Sequence, residues 1–116
     1  MSIRTERVAS LIKEEIGGIL IREFRGTSIG FTTVTDVTMT ADLKIARVFF
    51  SVFGSEDVKK KTMAQLELQK AHIRQIVGSH VRIKFVPSLQ FHLDETSDHA
   101  ERINLLIKKI HDGSPP

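Results

Sequence analysis

Two strand-like segments joined by three turn residues constrain this chain more than any other feature in it. Residues 31–39, FTTVTDVTM, are dense in β-branched side chains, which suit a half-buried pleated surface. Residues 43–53, LKIARVFFSVF, alternate in character. Ala46, Val48, Phe50 and Val52 fall on one face, and Ile45, Arg47, Phe49, Ser51 and Phe53 on the other. Between the two segments, Thr40-Ala41-Asp42 is turn chemistry. So short a connection implies an antiparallel hairpin. Val37 and Met39 share a face while Val34 is out of phase, so a bulge is expected near Thr35-Asp36.

Segments of helical period flank the hairpin and supply the layer that covers its apolar face. Over residues 3–25, Val8, Leu11, Ile12, Ile16, Ile19, Leu20 and Phe24 recur at three- and four-residue steps. Gly17-Gly18 falls in the middle of this helix, at a cost of roughly 2 kcal/mol relative to alanine. Either another element packs close there or the helix bends. RGTSIG, residues 25–30, is a turn. After the hairpin, Gly54-Ser55 ends the strand and caps a helix. Glu56 and Asp57 suit its dipole, and Val58, Met63 and Leu66 form its buried stripe. Lys59-Lys60-Lys61 is expected to point mainly to solvent. The phase is lost around Gln69-Lys70-Ala71, where a kink or break is expected.

The stretch from His72 to Glu95 then reads as a helix, a glycine stop and a long basic-apolar strand. Ile73, Ile76 and Val77 keep helical spacing, and Gly78 stands where a helix end tolerates φ > 0. Val81, Ile83 and Phe85 alternate with Arg82 and Lys84, which puts cations on one strand face and apolar groups on the other. Pro87 interrupts that alternation, having no N–H for a ladder, and Leu89, Phe91 and Leu93 resume it. A last helix carrying Ile103, Leu106, Ile107 and Ile110 is expected after a cap at Thr96, Ser97 or Asp98. The order is helix, strand, strand, kinked helix, strand, helix. That is an α+β sandwich, a three-stranded sheet with its helices on one face. At 116 residues the chain suits one domain, residues 1–116, with 112–116 a frayed tail.

Composition narrows the chemistry. The chain has no cysteine, which removes disulfides, thiolate catalysis and cysteine-based zinc sites together. No apolar run approaches the ~20 residues needed to span a bilayer, and MSIRTERVASLIKEE has no apolar signal core. There is no phosphate-binding GxxxxGK[ST] motif, no GxGxxG motif and no nucleophile elbow. The five histidines match no metal signature; His92 and Asp94 share a strand end, while His99 falls on a separate helix. No metal, no cofactor and no enzymatic activity are therefore expected. The net charge is only +3, so the distribution of cations matters more than their total. Lys70, Arg74, Arg82 and Lys84 are the principal candidates for a surface that meets polyanions. Arg47 is a weaker member, and Arg4 and Arg7 offer a second cluster. Cations beside Phe49 on an open sheet face suit nucleic acid, because an aromatic ring can stack on a base.

Taken in order, RVASLIKEEIGGIL (7–20), the TTV…TADLKIARVFFSVFG run (32–54) and HIRQIVG…VRIKFVPSLQFHLDE (72–95) resemble the ribosome-binding factor A family. The family's R-V-A stands here as Arg7-Val8-Ala9. Its I-R, L-G, R-x-R-x-V-P-x-L-x-F and terminal Asp stand as Ile73-Arg74, Val77-Gly78, Arg82 to Phe91 and Asp94. The resemblance implies a type II K-homology fold without the GxxG loop of ordinary K-homology domains. It also implies a kink commonly written A-x-G, which here becomes Gln69-Lys70-Ala71. It further implies a cytoplasmic, monomeric assembly factor, with no membrane association. Such a factor binds the free 30S ribosomal subunit, contacts 16S rRNA, assists maturation of its 5′ end and is linked to growth in the cold. A generic K-homology-like RNA-binding module and a protein–protein adaptor are the competing readings.

Overall fold

In a computed structural model the described residues are 3–24 and 31–95. Helix α1 (Ile3–Glu23) is followed by strands β1 (Thr32–Met39) and β2 (Ile45–Val52). Helices α2 (Glu56–Leu68) and α3 (Lys70–His80) come next, then strand β3 (Ser88–Leu93). The strands form one sheet in the order β1-β2-β3. β1 and β2 make the expected antiparallel hairpin, and β3 lies parallel to β2, which requires the crossover that α2 and α3 provide. The register of β1 shifts between Val34 and Asp36, so the bulge falls where the broken alternation placed it. At the bulge the Thr35 hydroxyl donates to the Asp94 carboxylate at 2.7 Å, tying β1 to the end of β3.

One core cluster joins the inner sheet face to the helices. Val37, Met39, Ala46, Val48, Phe50 and Leu89 meet Ile12, Ile16 and Ile19 of α1, Leu66 of α2, and Ile73 and Val77 of α3. Polar ties hold α1 against α3 at the margin of this core. Glu15 accepts from Arg22 at 3.2 Å and lies 2.5 Å from His80 Nδ1, and Glu23 lies 3.0 Å from His72 Nε2.

Four expectations from the sequence need correction. Residues 81–87 are not a strand; β3 begins only at Ser88. The reason is the absence of a neighbour. Ser88 N–H donates to the Lys44 carbonyl at 2.8 Å, and on the other side of that bond β2 has already turned into the hairpin loop. Gly78 is not a helix stop, because α3 continues to His80. A Cβ at Gly78 would stand 2.8 Å from Val86 Cγ2, so this glycine serves a close approach of the following loop. Lys59 is buried, only 5% exposed, beside Glu56 at 3.9 Å, while Lys60 and Lys61 do face solvent. Val58 and Met63 are correspondingly half-buried, and the buried stripe of α2 is Lys59, Thr62 and Leu66.

The break between α2 and α3 falls at Gln69, with φ −92° and ψ 3°. Its N–H donates to both the Gln65 and Leu66 carbonyls, so the helical bonding tightens for one residue before α3 begins. Ala71 is exposed rather than packed into the core. Gly17 has no heavy atom within 4 Å of its would-be Cβ, and the Gly18 position meets only the flexible Arg22 side chain. α1 runs unbroken through both glycines, and no other element packs close against either. The expected turn at 25–30, the last helix and the tail at 112–116 lie outside the described residues.

Candidate nucleic-acid interface

The predicted cations separate into groups once the chain is folded. Arg4, Arg82 and Lys84 come together at one end of the sandwich, where the start of α1, the β1–β2 loop and the 81–87 segment enclose a groove of about 920 Å³. Lys44 joins them from the β1–β2 loop, and Val8, Met39 and Ile83 contribute apolar lining. Arg4, Lys44, Arg82 and Lys84 are all exposed. The ring of Phe85 stands at the same rim, 76% exposed, with Lys84 Nζ 5.6 Å from its centroid.

Local chemistry holds each wall. In the β1–β2 loop, Leu43 takes a left-handed φ of 61°, and its N–H donates to the Thr40 carbonyl at 2.9 Å. Asp42 is the acidic residue in the lining, and its Oδ1 accepts from the Thr40 hydroxyl at 2.6 Å and from Lys44 N–H at 3.1 Å. These two bonds, the Thr40 hydroxyl first, hold the Asp42 carboxyl below the usual carboxylate range. Its charge is directed into the turn. The opposite wall is fastened from α3. Arg74 donates from Nε to the Pro87 carbonyl at 3.0 Å and from Nη2 to the Val86 carbonyl at 2.8 Å.

That use of Arg74 sets it apart from the groove cations. It positions the loop that carries Arg82, Lys84 and Phe85. Lys70, at the first position of α3, is paired with Glu67 and lies 5.6 Å over the ring of Phe91. Arg47 is exposed on the outer sheet face, in register with Thr38 and Gln90. Phe49, on that same face, is half-buried and stacked on His92 at 5.3 Å. Arg7 is exposed one turn beyond Arg4 on α1. Sequence reasoning missed Lys44 and misplaced Phe85. Lys44 sat in plain view beside the turn residues. Phe85 was hidden by an alternation that the folded chain does not use. Among the described residues no group of three or more histidine, aspartate or glutamate side chains is placed to hold a metal ion. No described helix is long and apolar enough to cross a membrane.

Comparison with known proteins gives consistent results. The family profile described as ribosome-binding factor A matches residues 4–107. The ribosome-binding factor A of Chloroherpeton thalassium is 42% identical over 118 aligned positions, covering 100% of this chain and 94% of that protein. That of Halothermothrix orenii is 41% identical, covering 92% of this chain and 88% of its own length. Among solved structures, the crystal structure of ribosome-binding factor A from Thermus thermophilus superposes with a TM-score of 0.66 at 17% identity. It covers 77% of this chain and 94% of that one. A homology model of the Thermus thermophilus factor, fitted into a cryo-electron microscopy map of its 30S complex, gives a TM-score of 0.61 at 17% identity. It covers 84% of this chain and 98% of the other.

Proposed function

The chain belongs to the ribosome-binding factor A family, and we propose that it binds the free 30S ribosomal subunit and assists its late maturation, including processing of the 16S rRNA 5′ end. The observation that carries the reading is the extent of the family match, which takes in α1, the sheet and the groove cations from Arg4 to Lys84. Affinity comes chiefly from phosphate contacts, with Arg4, Lys44, Arg82 and Lys84 as the primary set. Arg7 extends that set along α1, and Arg47 and Lys70 contribute at its margins. Arg74 acts by holding the loop.

The helix-strand-strand-helix-helix-strand order, with β3 parallel to β2, supports a type II K-homology description. The break at Gln69 is compatible with the kink expected at Gln69-Lys70-Ala71. On this reading the protein acts as a cytoplasmic monomer without a cofactor or a catalytic group, and its rRNA processing role and any part in cold adaptation follow from subunit binding. Co-sedimentation with purified 30S, 50S and 70S particles at moderate salt is the test. Retention with 30S alone is expected; equal retention with 50S, or none with 30S, overturns the proposal.

A further inference from the structure

We propose that the groove at the α1 end of the sandwich seats an unpaired RNA nucleotide, its base stacked on Phe85 and its neighbouring phosphates held among Arg4, Lys44, Arg82 and Lys84. The inference deepens the ribosome-binding reading and rests on it for the choice of RNA as the polyanion.

Three observations converge on this site. The first is the ring itself. Phe85 lies within a segment whose other apolar residues are packed, with Val81 and Pro87 buried and Ile83 and Val86 half-buried, yet it is held out into water. An aromatic ring in water forgoes the burial that a folded chain usually gives it. One such ring alone means little. The second is the company it keeps. Four exposed cations line the groove, and the carboxylate of Asp42 is engaged by Thr40 and the Lys44 N–H. The field there favours an anion. The third is rigidity. The Phe85 segment is fastened on its C-terminal side by the two Arg74 bonds and by Ser88 N–H to the Lys44 carbonyl, and Val86 packs against Gly78. A ring on a fastened loop is ready to stack without first being ordered.

Together these features select the occupant. A flat apolar face ringed by cations matches a nucleotide, which is a flat base carried on a charged backbone. Duplex RNA keeps its bases stacked on one another and offers the groove only phosphates and sugars. The volume of about 920 Å³ falls within the range of small-ligand sites, room for a nucleotide and its flanking phosphates.

The chain contains no tryptophan and no tyrosine, so a single Phe85→Trp substitution installs the sole indole as a reporter. The exposed position tolerates the change, and circular dichroism checks each variant's fold. Emission is followed while a ten-nucleotide single-stranded RNA is added, and again with the same strand annealed to its complement. Quenching by the single strand and little change with the duplex are expected. In fluorescence anisotropy, Phe85→Ala weakens single-strand binding about tenfold, while Phe85→Leu, which keeps bulk but has no aromatic face, recovers little of it. Arg82→Ala weakens both RNA forms. Unchanged emission at saturating single strand, a Phe85→Ala variant that binds like the wild type, or a wild type that binds no single strand overturns the stacking site. Any of these with intact 30S co-sedimentation leaves the ribosome-binding reading standing. Quenching without 30S co-sedimentation removes that reading and keeps the site.

Discussion

Arg74, on the second turn of α3, donates from Nε to the carbonyl of Pro87 at 3.0 Å, and its Nη2 reaches the adjacent Val86 carbonyl at 2.8 Å. A guanidinium fork satisfies two consecutive carbonyls that have no strand partner, and it does so just before β3 begins. Arg74, one of the four principal candidates for a polyanion contact, therefore fastens the groove wall. Arg74→Ala is expected to lower stability by about 1–2 kcal/mol in urea denaturation, the scale of charge-assisted bonds that are partly exposed. Arg74→Lys recovers less than half of the loss, because an ammonium cannot span both carbonyls in a fixed plane. A variant as stable as the wild type would mean that the 81–87 segment holds itself.

The same chemical change at two glycines is expected to act in opposite directions. Gly17 lies inside α1 with open space where a Cβ would go, so Gly17→Ala stabilises by about 1 kcal/mol through helix propensity. At Gly78 the new methyl meets Val86 Cγ2 at 2.8 Å. Val86 is β-branched and stiff at χ1, so it cannot swing clear; overpacking toward the upper end of ~1–3 kcal/mol outweighs the propensity gain of about 1 kcal/mol, and Gly78→Ala is a net loss. Paired urea melts decide the signs.

Ala71→Leu is expected to be nearly neutral, within about 0.5 kcal/mol, since the residue is exposed. Chemical denaturation measures it directly. A loss of several kcal/mol would place Ala71 against another element and mean that the helix break needs a small residue there.

Salt dependence reports which cations meet phosphate. If the four groove cations displace counterions from single-stranded RNA, log affinity falls against log salt with a slope of about −3. The double variant of Arg82→Ala and Lys84→Ala reduces the magnitude of that slope by about 1.4. Lys70→Ala, which removes a cation paired with Glu67 beside Phe91, changes it little. Filter binding across a salt series separates these cases.

Asp42 ties stability to acid. Its carboxyl is held below the ordinary value of 3.8 by the Thr40 hydroxyl and the Lys44 N–H. A depressed pKa in the folded state contributes stability that is present above that ordinary value and is lost as pH falls through the lowered one. Urea midpoints of the wild type therefore decline below about pH 4 more steeply than those of Asp42→Asn, whose amide carries no titrating proton. Parallel declines would show that Asp42 does not contribute.

Much of this fold is legible in local chemistry. β-branched and alternating residues mark the hairpin, and the misphased Val34 marks its bulge, because side chains in a strand repeat every two residues whatever surrounds them. Ser55 and the two acids after it mark the start of α2, since its first N–H groups need acceptors; the Ser55 hydroxyl accepts from Val58 N–H at 3.2 Å. The loss of phase at Gln69 marks the break.

The tertiary structure decided what these signals leave open. Val81 to Phe85 alternate like a strand, yet a strand exists only where a neighbour offers its ladder, and β2 ends its side of the pairing at Ile45. Gly78 reads as a helix stop and is a place for Val86 to approach. Lys59 reads as part of a solvated run and is buried, because its position on α2 falls on the stripe that packs inward. The groove itself joins residues 4, 44, 82, 84 and 85, which no spacing along the chain relates. Periodicity carries information about which side of an element is apolar. Which elements become neighbours, and so which cations share a surface, is settled by the packing of the whole core.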